Sequence, residues 1–158
     1  MGQQQLLLLV LATVIVGLAT VAGIQAFDEN QSQAAQDALT QRGYNAASDL
    51  KGLARKPQEQ GGIDLDSKSS NTSHTPSGVR KRLGYEKGSN GARFPVAGAP
   101  GNNPECSFGF SNNGNGGQHA DIKCKSSEAP QDVRVRLNAG GDYDVSTSYA
   151  DSYTLNSP

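Results

Sequence analysis

The first 27 residues of the chain, MGQQQLLLLVLATVIVGLATVAGIQAF, contain no charged side chain. Within the run from Leu6 to Ile24, only two threonines and a few small residues interrupt the large apolar side chains. A helix of about 19 residues spans about 28 Å, which matches the hydrocarbon core of a bilayer. The segment is therefore predicted to enter a membrane, and the rest of the chain has to fold around that constraint.

The remaining residues have room for one soluble domain of about 100 residues. Only 6% of all residues are aromatic and none is Trp, so this domain has few large side chains with which to fill a core. A core that small needs cross-links or neighbouring subunits for stability. The formal net charge of −1 gives no general attraction to nucleic acid or to anionic lipid.

Residues suited to catalysis or metal binding are sparse. Neither His74 nor His119 has sequence neighbours that suggest a nucleophile or a metal cluster. The segment 64–66 begins like a calcium loop, but Lys68 stands where a ligand and a glycine should follow, which favours solvated carboxylates. The chain is therefore predicted to be neither an enzyme nor a cofactor-binding protein.

The sequence has one basic cluster, formed by Arg80, Lys81 and Arg82 with Lys87 and Arg93 nearby. Such a cluster can contact DNA or an acidic surface. A solvated loop, or a salt-bridge partner for the acidic residues of a neighbouring molecule, is the simpler interpretation, and nucleic acid is not an expected partner.

Residues 28–56 are predicted to continue the apolar segment as an amphipathic helix. Their apolar residues recur every three, four or seven positions and form one narrow stripe: Ala35, Leu39, Ala46, Leu50 and Leu53. No Gly or Pro interrupts the chain where the two segments join, and Pro57 followed by two glycines ends the pattern. The expected result is one helix from about Leu6 to Arg55, about 75 Å long.

Small residues in the apolar run occur in two pairs with a spacing of four: Ala19 with Gly23, and Ala22 with Ala26. This spacing lets apolar helices approach each other closely. A solitary membrane anchor has no need of a continuous amphipathic extension. A subunit whose apolar half packs in a bundle, and whose other half carries its own head, does need one.

Two regions follow the helix. Residues 57–91 are rich in Gly, Ser, Asn and Thr and are predicted to form a long polar loop. Asn71, in the triplet Asn-Thr-Ser, is a candidate glycosylation site in this loop. Residues 92–158 are predicted to form an antiparallel β head. The fold class is α+β, with a long N-terminal α-helix packed against a small antiparallel sheet.

In the head, alternating apolar residues on both sides of the turn segment SNNGNGG predict a hairpin. Folding about Asn115 sets Phe110 opposite Ala120, Phe108 opposite Ile122 and Cys106 opposite Cys124. A disulfide between Cys106 and Cys124 closes such a hairpin. The alternative is a pair of free thiols, which fits only a domain that stays in a reducing compartment.

A second hairpin is predicted after a turn at residues 138–141, with these residues on one face: Val133, Val135, Leu137, Tyr143, Val145 and Thr147. This fold sets Arg136 opposite Asp144, a favourable cross-strand pair. Tyr149, Tyr153 and Leu155 are predicted to form a last edge strand.

These features together resemble the type IV pilin superfamily. Its members have a short leader ending in Gly, an apolar helix that runs into an amphipathic one, and a β-rich head that often holds a disulfide. The matching parts are Gly2, the segment 3–27, the extension 28–55 and the pair Cys106 and Cys124. The resemblance implies that residues 1–2 are a leader, that prepilin peptidase cleaves after Gly2, and that Gln3 becomes the mature N-terminus, which is open to methylation.

The chain departs from the family at Leu7, where a glutamate usually neutralises the terminal amine of a neighbour. The side-chain amides of residues 3–5 are the expected substitutes. The leader is also unusually short and has no basic residue.

The resemblance implies a structural subunit that is first held in the cytoplasmic membrane and then assembles with copies of itself into an extracellular filament, with the help of pilus assembly machinery. Two alternatives stay open: a minor pseudopilin of a secretion or uptake machine, and a single-pass membrane-anchored binding module. The residues do not distinguish adhesion, motility and DNA uptake.

Overall fold

The computed structural model describes residues 2–63, 65, 75–113, 117–139, 144–153 and 155. Its elements, in chain order, are helix α1 (Gly2–Ala54), a 3-10 turn (Gln58–Gln60), helix α2 (Pro76–Arg82), and strands β1 (Arg93–Pro95), β2 (Glu105–Asn113), β3 (Gly117–Lys125), β4 (Asp132–Ala139) and β5 (Asp144–Ala150). The five strands form one antiparallel sheet in the order β1-β2-β3-β4-β5. The predicted α+β fold class is confirmed.

Helix α1 is a single helix of 53 residues, as the sequence predicted. Its buried residues all lie in the second half and are Ala35, Leu39, Gly43, Ala46, Ala47, Leu50 and Leu53. This set contains the predicted apolar stripe and adds Gly43 and Ala47, which have too little side chain to stand out in a hydrophobicity pattern. The stripe packs on β3 and β4, and there Leu39 and Leu50 join one core with Phe108, Ile122 and Val135.

The first hairpin pairs β2 with β3 in the predicted register, with Cys106 opposite Cys124 and Phe108 opposite Ile122. The predicted disulfide joins Cys106 to Cys124, whose Cα atoms lie 4.0 Å apart. Both cysteines are fully buried beneath α1. The cross-link therefore holds the two central strands together under the helix.

The second hairpin keeps the predicted faces but not the predicted register. Arg136 lies opposite Ser146, not Asp144, and Asp144 lies opposite Asn138. The shift is two residues, so Val135 and Leu137 still face the helix because the side-chain period of a strand is two. Arg136 instead pairs with Asp121 on the other neighbouring strand, with an Nε–Oδ1 distance of 2.8 Å.

The prediction that residues 57–91 form only a loop is wrong, because they contain α2. The Thr75 hydroxyl caps this helix by accepting a hydrogen bond from the Gly78 amide at 3.2 Å, and Pro76 occupies its first turn. Val79 anchors it in the core. Helix α2 has seven residues and one large apolar side chain, which is too short for a helical hydrophobic period to appear in the sequence. Asp64, Asp66, Asn71 and His74 lie outside the described residues.

The predicted last edge strand is also wrong. Tyr149 belongs to β5, whereas Tyr153 and Leu155 follow it outside any strand. The Tyr153 amide donates a hydrogen bond to the Asp132 carboxylate at 2.7 Å, and the Arg134 guanidinium lies 5.1 Å from the Tyr153 ring centre. These contacts place Tyr153 on the face of the sheet that is turned away from α1.

Replacing Gly43 by alanine is expected to destabilise the fold. A Cβ at this position would lie 2.7 Å from Cγ2 of Val135, a β-branched side chain with few alternative rotamers. The crowding should cost about 1–3 kcal/mol of unfolding free energy. Urea unfolding of the detergent-solubilised chain measures it.

The matched control for Gly43 is Gly52→Ala. A Cβ at Gly52 meets no atom within 4 Å, so better helix propensity alone should raise stability by up to about 1 kcal/mol. Equal stability of the two variants would show that α1 does not press against β4 at Gly43.

Candidate assembly surface

The most unusual surface of the molecule is the first half of α1, residues 3–27, which we call the apolar helix. Its large apolar side chains project away from the head and are 49–72% exposed in the single chain: Leu6, Leu7, Leu8, Leu9, Val10, Leu11, Val14, Ile15, Val16, Leu18, Val21, Ile24 and Phe27. Isolated apolar residues are common on protein surfaces, but a continuous patch of this length marks an interaction site. The apolar helix therefore requires lipid or other protein helices around it.

The two hydroxyl groups in the apolar helix are satisfied within the helix itself. The Thr13 hydroxyl donates to the Val10 carbonyl at 2.8 Å, and the Thr20 hydroxyl donates to the Gly17 carbonyl at 2.8 Å. Since a buried hydroxyl without a partner is costly, this arrangement lets both threonines enter an apolar environment.

The small residues leave open space along the apolar helix. A Cβ added at Gly17 or Gly23 would meet no atom within 4 Å, so nothing in the chain itself requires glycine there. Gly23 lies four residues after Ala19, and both belong to the exposed half of α1. The space is therefore available to another molecule.

A second contact region fixes α1 to the head on the side of β1. The Arg42 guanidinium lies 4.5 Å from the centre of the Tyr85 ring and 5.3 Å from that of Phe94. The Tyr85 hydroxyl donates a hydrogen bond to the carboxylate of Asp49, which lies seven residues after Arg42 in α1. Sequence reasoning missed this cluster, because nothing in the spacing of Arg42, Asp49 and Tyr85 indicates that they meet.

The basic cluster of residues 80–93 is divided by the fold. Arg80 is buried, and its Nε donates to the Gly91 carbonyl at 2.8 Å. Arg93 lies 3.6 Å from the Glu105 carboxylate. Lys81 and Lys87 are exposed, as expected of a solvated loop. That interpretation is wrong for Arg80, which is buried and binds backbone carbonyls of the loop.

The outer face of the sheet carries a second polar group of residues. Arg136 binds the Asp121 carboxylate through both Nε and a terminal nitrogen, at 2.8 and 3.3 Å. The hydrogen bond to Asp121 raises the pKa of Arg136. His119 Nε2 lies 3.7 Å from the same carboxylate. The Arg136–Asp121 ion pair therefore links β4 to β3 on the outer face of the sheet.

One shallow pocket of about 390 Å³ lies beside β1 and the start of β2. Its buried acid, Glu105, accepts hydrogen bonds from the amide and the hydroxyl of Ser89, so the carboxylate is already occupied. Within the described residues, no three His, Cys, Asp or Glu side chains are grouped as metal ligands would be. The one acid that lines the pocket is therefore held by hydrogen bonds that shape the loop.

The predicted processing residues, Gly2 and Gln3, are exposed at the free end of α1. Leu7, which replaces the usual acidic residue, is 70% exposed. The end of the helix is therefore accessible for both cleavage and intermolecular contact.

Comparison of the chain with protein-family models, with curated proteins and with solved structures found no match. The structure itself supplies the functional indication. Within the described residues, α1 is one helix that is long and apolar enough to cross a membrane, and its most apolar stretch is not buried in the head. Such a helix can anchor the protein in a membrane.

The free energy of unfolding is expected to fall at alkaline pH because Tyr85 ionises more easily in the unfolded chain. Burial, followed by the hydrogen bond to Asp49, raises the pKa of Tyr85 above its ordinary value of 10.0. Its contribution is therefore fully present below pH about 10 and is lost as the pH rises through the higher folded pKa. The Tyr85→Phe variant should lose about 1 kcal/mol at neutral pH and show a weaker alkaline decline.

Urea midpoints measured at several pH values test this expectation. The matched control is Tyr149→Phe, which removes the hydroxyl of a half-exposed tyrosine on β5. An alkaline decline that is equally steep in Tyr85→Phe and in the unmodified chain would contradict the assignment.

Proposed function

We propose that the chain is a structural subunit of an extracellular filament of the type IV pilus kind, assembled by packing of the apolar helices. The observation that carries this proposal is the structure of α1. One unbroken helix has an exposed apolar first half and a second half that forms part of the core of the head.

The two halves of α1 support assembly for a physical reason. A helix that is apolar on all sides is stable only in lipid or among other helices. Because the second half is fixed to the head by the core and by the Arg42 cluster, the first half can exchange lipid for neighbouring helices without refolding the head. The same chain can thus serve as membrane precursor and as filament subunit.

The proposal includes removal of residues 1–2 by a prepilin peptidase, which would leave Gln3 at the end of the filament core. Its new amine needs an acceptor in that apolar core, because a buried charge without a partner is costly. With leucine at position 7, the side-chain carbonyls of residues 3–5 on a neighbouring subunit would fill this role.

Mass spectrometry of the chain recovered from sheared cell-surface material tests the proposal. The expected N-terminal peptide begins at Gln3, and Gly2→Val should leave an uncleaved precursor in the membrane. Gly52→Ala, far from the cleavage point, should be processed normally. Surface material that retains Met1 and Gly2 would instead favour a membrane-anchored binding module.

A further inference from the structure

Charge is distributed unevenly along the second half of α1. Its membrane-proximal part carries Asp28, Glu29 and Asp37, all exposed, and the first cation of the chain is Arg42. We call these three residues the acidic collar. In the neighbouring β3–β4 turn, the Gln131 amide donates a hydrogen bond to the Gln36 side chain. This turn adds one acid, Glu128, and Lys125 ends the strand before it.

The opposite end of the head is basic. Arg82 donates hydrogen bonds to the Gly61 and Gly62 carbonyls, each at 3.1 Å, which places the end of α2 beside the end of α1. The last turns of the two helices and the residues just after α1 carry five cations, which we call the basic end: Lys51, Arg55, Lys56, Lys81 and Arg82. Three carboxylates lie close to these cations in the described sequence, Asp49, Glu59 and Glu86, so the cations are in excess.

Within the described residues, no ion pair neutralises either surface. The ion pairs in the described part of the molecule join Arg93 to Glu105 and join Asp121 to Arg136 and His119, so they include no residue of the acidic collar or of the basic end. The two surfaces are separated by about 30 Å along α1. This is several times the Debye length of about 8 Å at physiological salt, so they do not neutralise each other across one molecule.

We propose that the acidic collar of one copy docks on the basic end of another copy. The occupant is a second copy because each surface finds its complement, in sign and in similar number of charges, on the same chain. The contact joins two different surfaces, so it is heterologous and repeats without closing, as a filament requires. It extends the proposed function by naming the surfaces through which heads select their axial neighbours.

The test uses the full chain in cells that assemble it, and measures the share recovered in sheared filaments. The reversed variant, Arg55→Glu with Lys56→Glu and Lys81→Glu, places like charges against the collar and should lower filament yield by about tenfold or more. Lys87→Glu, an exposed cation outside the basic end, is the control and should change little.

A second set of substitutions, Asp28→Asn, Glu29→Gln and Asp37→Asn, removes the charge of the acidic collar and is combined with both the unmodified chain and the reversed variant. These changes hardly affect membrane orientation. In the unmodified chain these changes should lower filament yield about threefold, because attraction is lost. In the reversed variant they should raise it about threefold, because repulsion is lost.

The outcomes separate the two proposals. Filaments that form normally from the reversed variant, or a neutralised collar that acts in the same direction in both backgrounds, would overturn the docking contact and leave the proposed function standing. If the unmodified chain forms no filaments, both proposals fail. Formation of the disulfide in every variant, checked by thiol labelling, confirms that the head is folded.

Discussion

Replacing Ala19 and Gly23 together by leucine is expected to stop filament assembly while the chain still enters the membrane. Leucine is at least as favourable in lipid as the residues it replaces, and it has a much higher helix propensity than glycine. In the single chain a Cβ at Gly23 meets no atom within 4 Å. Any loss of assembly must therefore come from a neighbouring helix that needs the space.

The measurement compares the membrane fraction with sheared surface filaments. Filament yield should fall by about tenfold or more, since overpacking of a close contact costs about 1–3 kcal/mol per site. Val14→Leu with Val21→Leu, which enlarges residues that are already large and exposed, is the matched control. Normal yield from the Ala19 and Gly23 variant would mean that the apolar helix functions only as an anchor.

Removing the disulfide is expected to cost about 3 kcal/mol of unfolding free energy, because the cross-link closes a loop with a sequence separation of 18 residues. That is a large part of the stability of a domain with so few large core residues. Both cysteines are fully buried under α1, so the double variant Cys106→Ala and Cys124→Ala also loses packing. Urea unfolding of the detergent-solubilised chain measures the difference.

The unmodified chain treated with a reductant supplies the control for the disulfide. Its stability should fall close to that of the double alanine variant, which should not respond to the reductant. A loss of less than about 0.5 kcal/mol would contradict this expectation. It would mean that packing against α1, and not the disulfide, stabilises the head.

Strong local patterns made most of the fold predictable. The apolar run, the stripe at Leu39 and Leu50 and the lack of a helix breaker before Pro57 predicted one long helix. The alternation around the turn at Asn115 predicted the register of β2 and β3, and with it the disulfide. The helix and the first hairpin could be predicted because the residues that determine them lie close together in the sequence.

Contacts between distant residues explain what could not be predicted. In the observed register of β4 and β5, Arg136 lies opposite Ser146 and its guanidinium binds Asp121 on β3, a residue 15 positions earlier in the sequence. The burial of Arg80 depends on carbonyl groups that only the folded loop brings together. The basic end likewise exists only because Arg82 reaches the carbonyls that follow α1.

The structure gives the two halves of α1 separate physical roles. The core and the Arg42 cluster hold the second half against the sheet, and they leave the first half as a continuous apolar surface. The exposed surface accounts for both proposed locations of the chain, since lipid and neighbouring helices satisfy it equally. In the proposed filament, the acidic collar and the basic end would give each subunit a direction along the axis.

Electron cryomicroscopy of filaments sheared from cells that express the chain tests the central proposal most directly. The expected map has a core of packed α-helices formed by residues 3–27, with the disulfide-linked heads on the outside. A filament whose core contains no such helices, or a chain found only as single molecules in the membrane, would contradict the proposal.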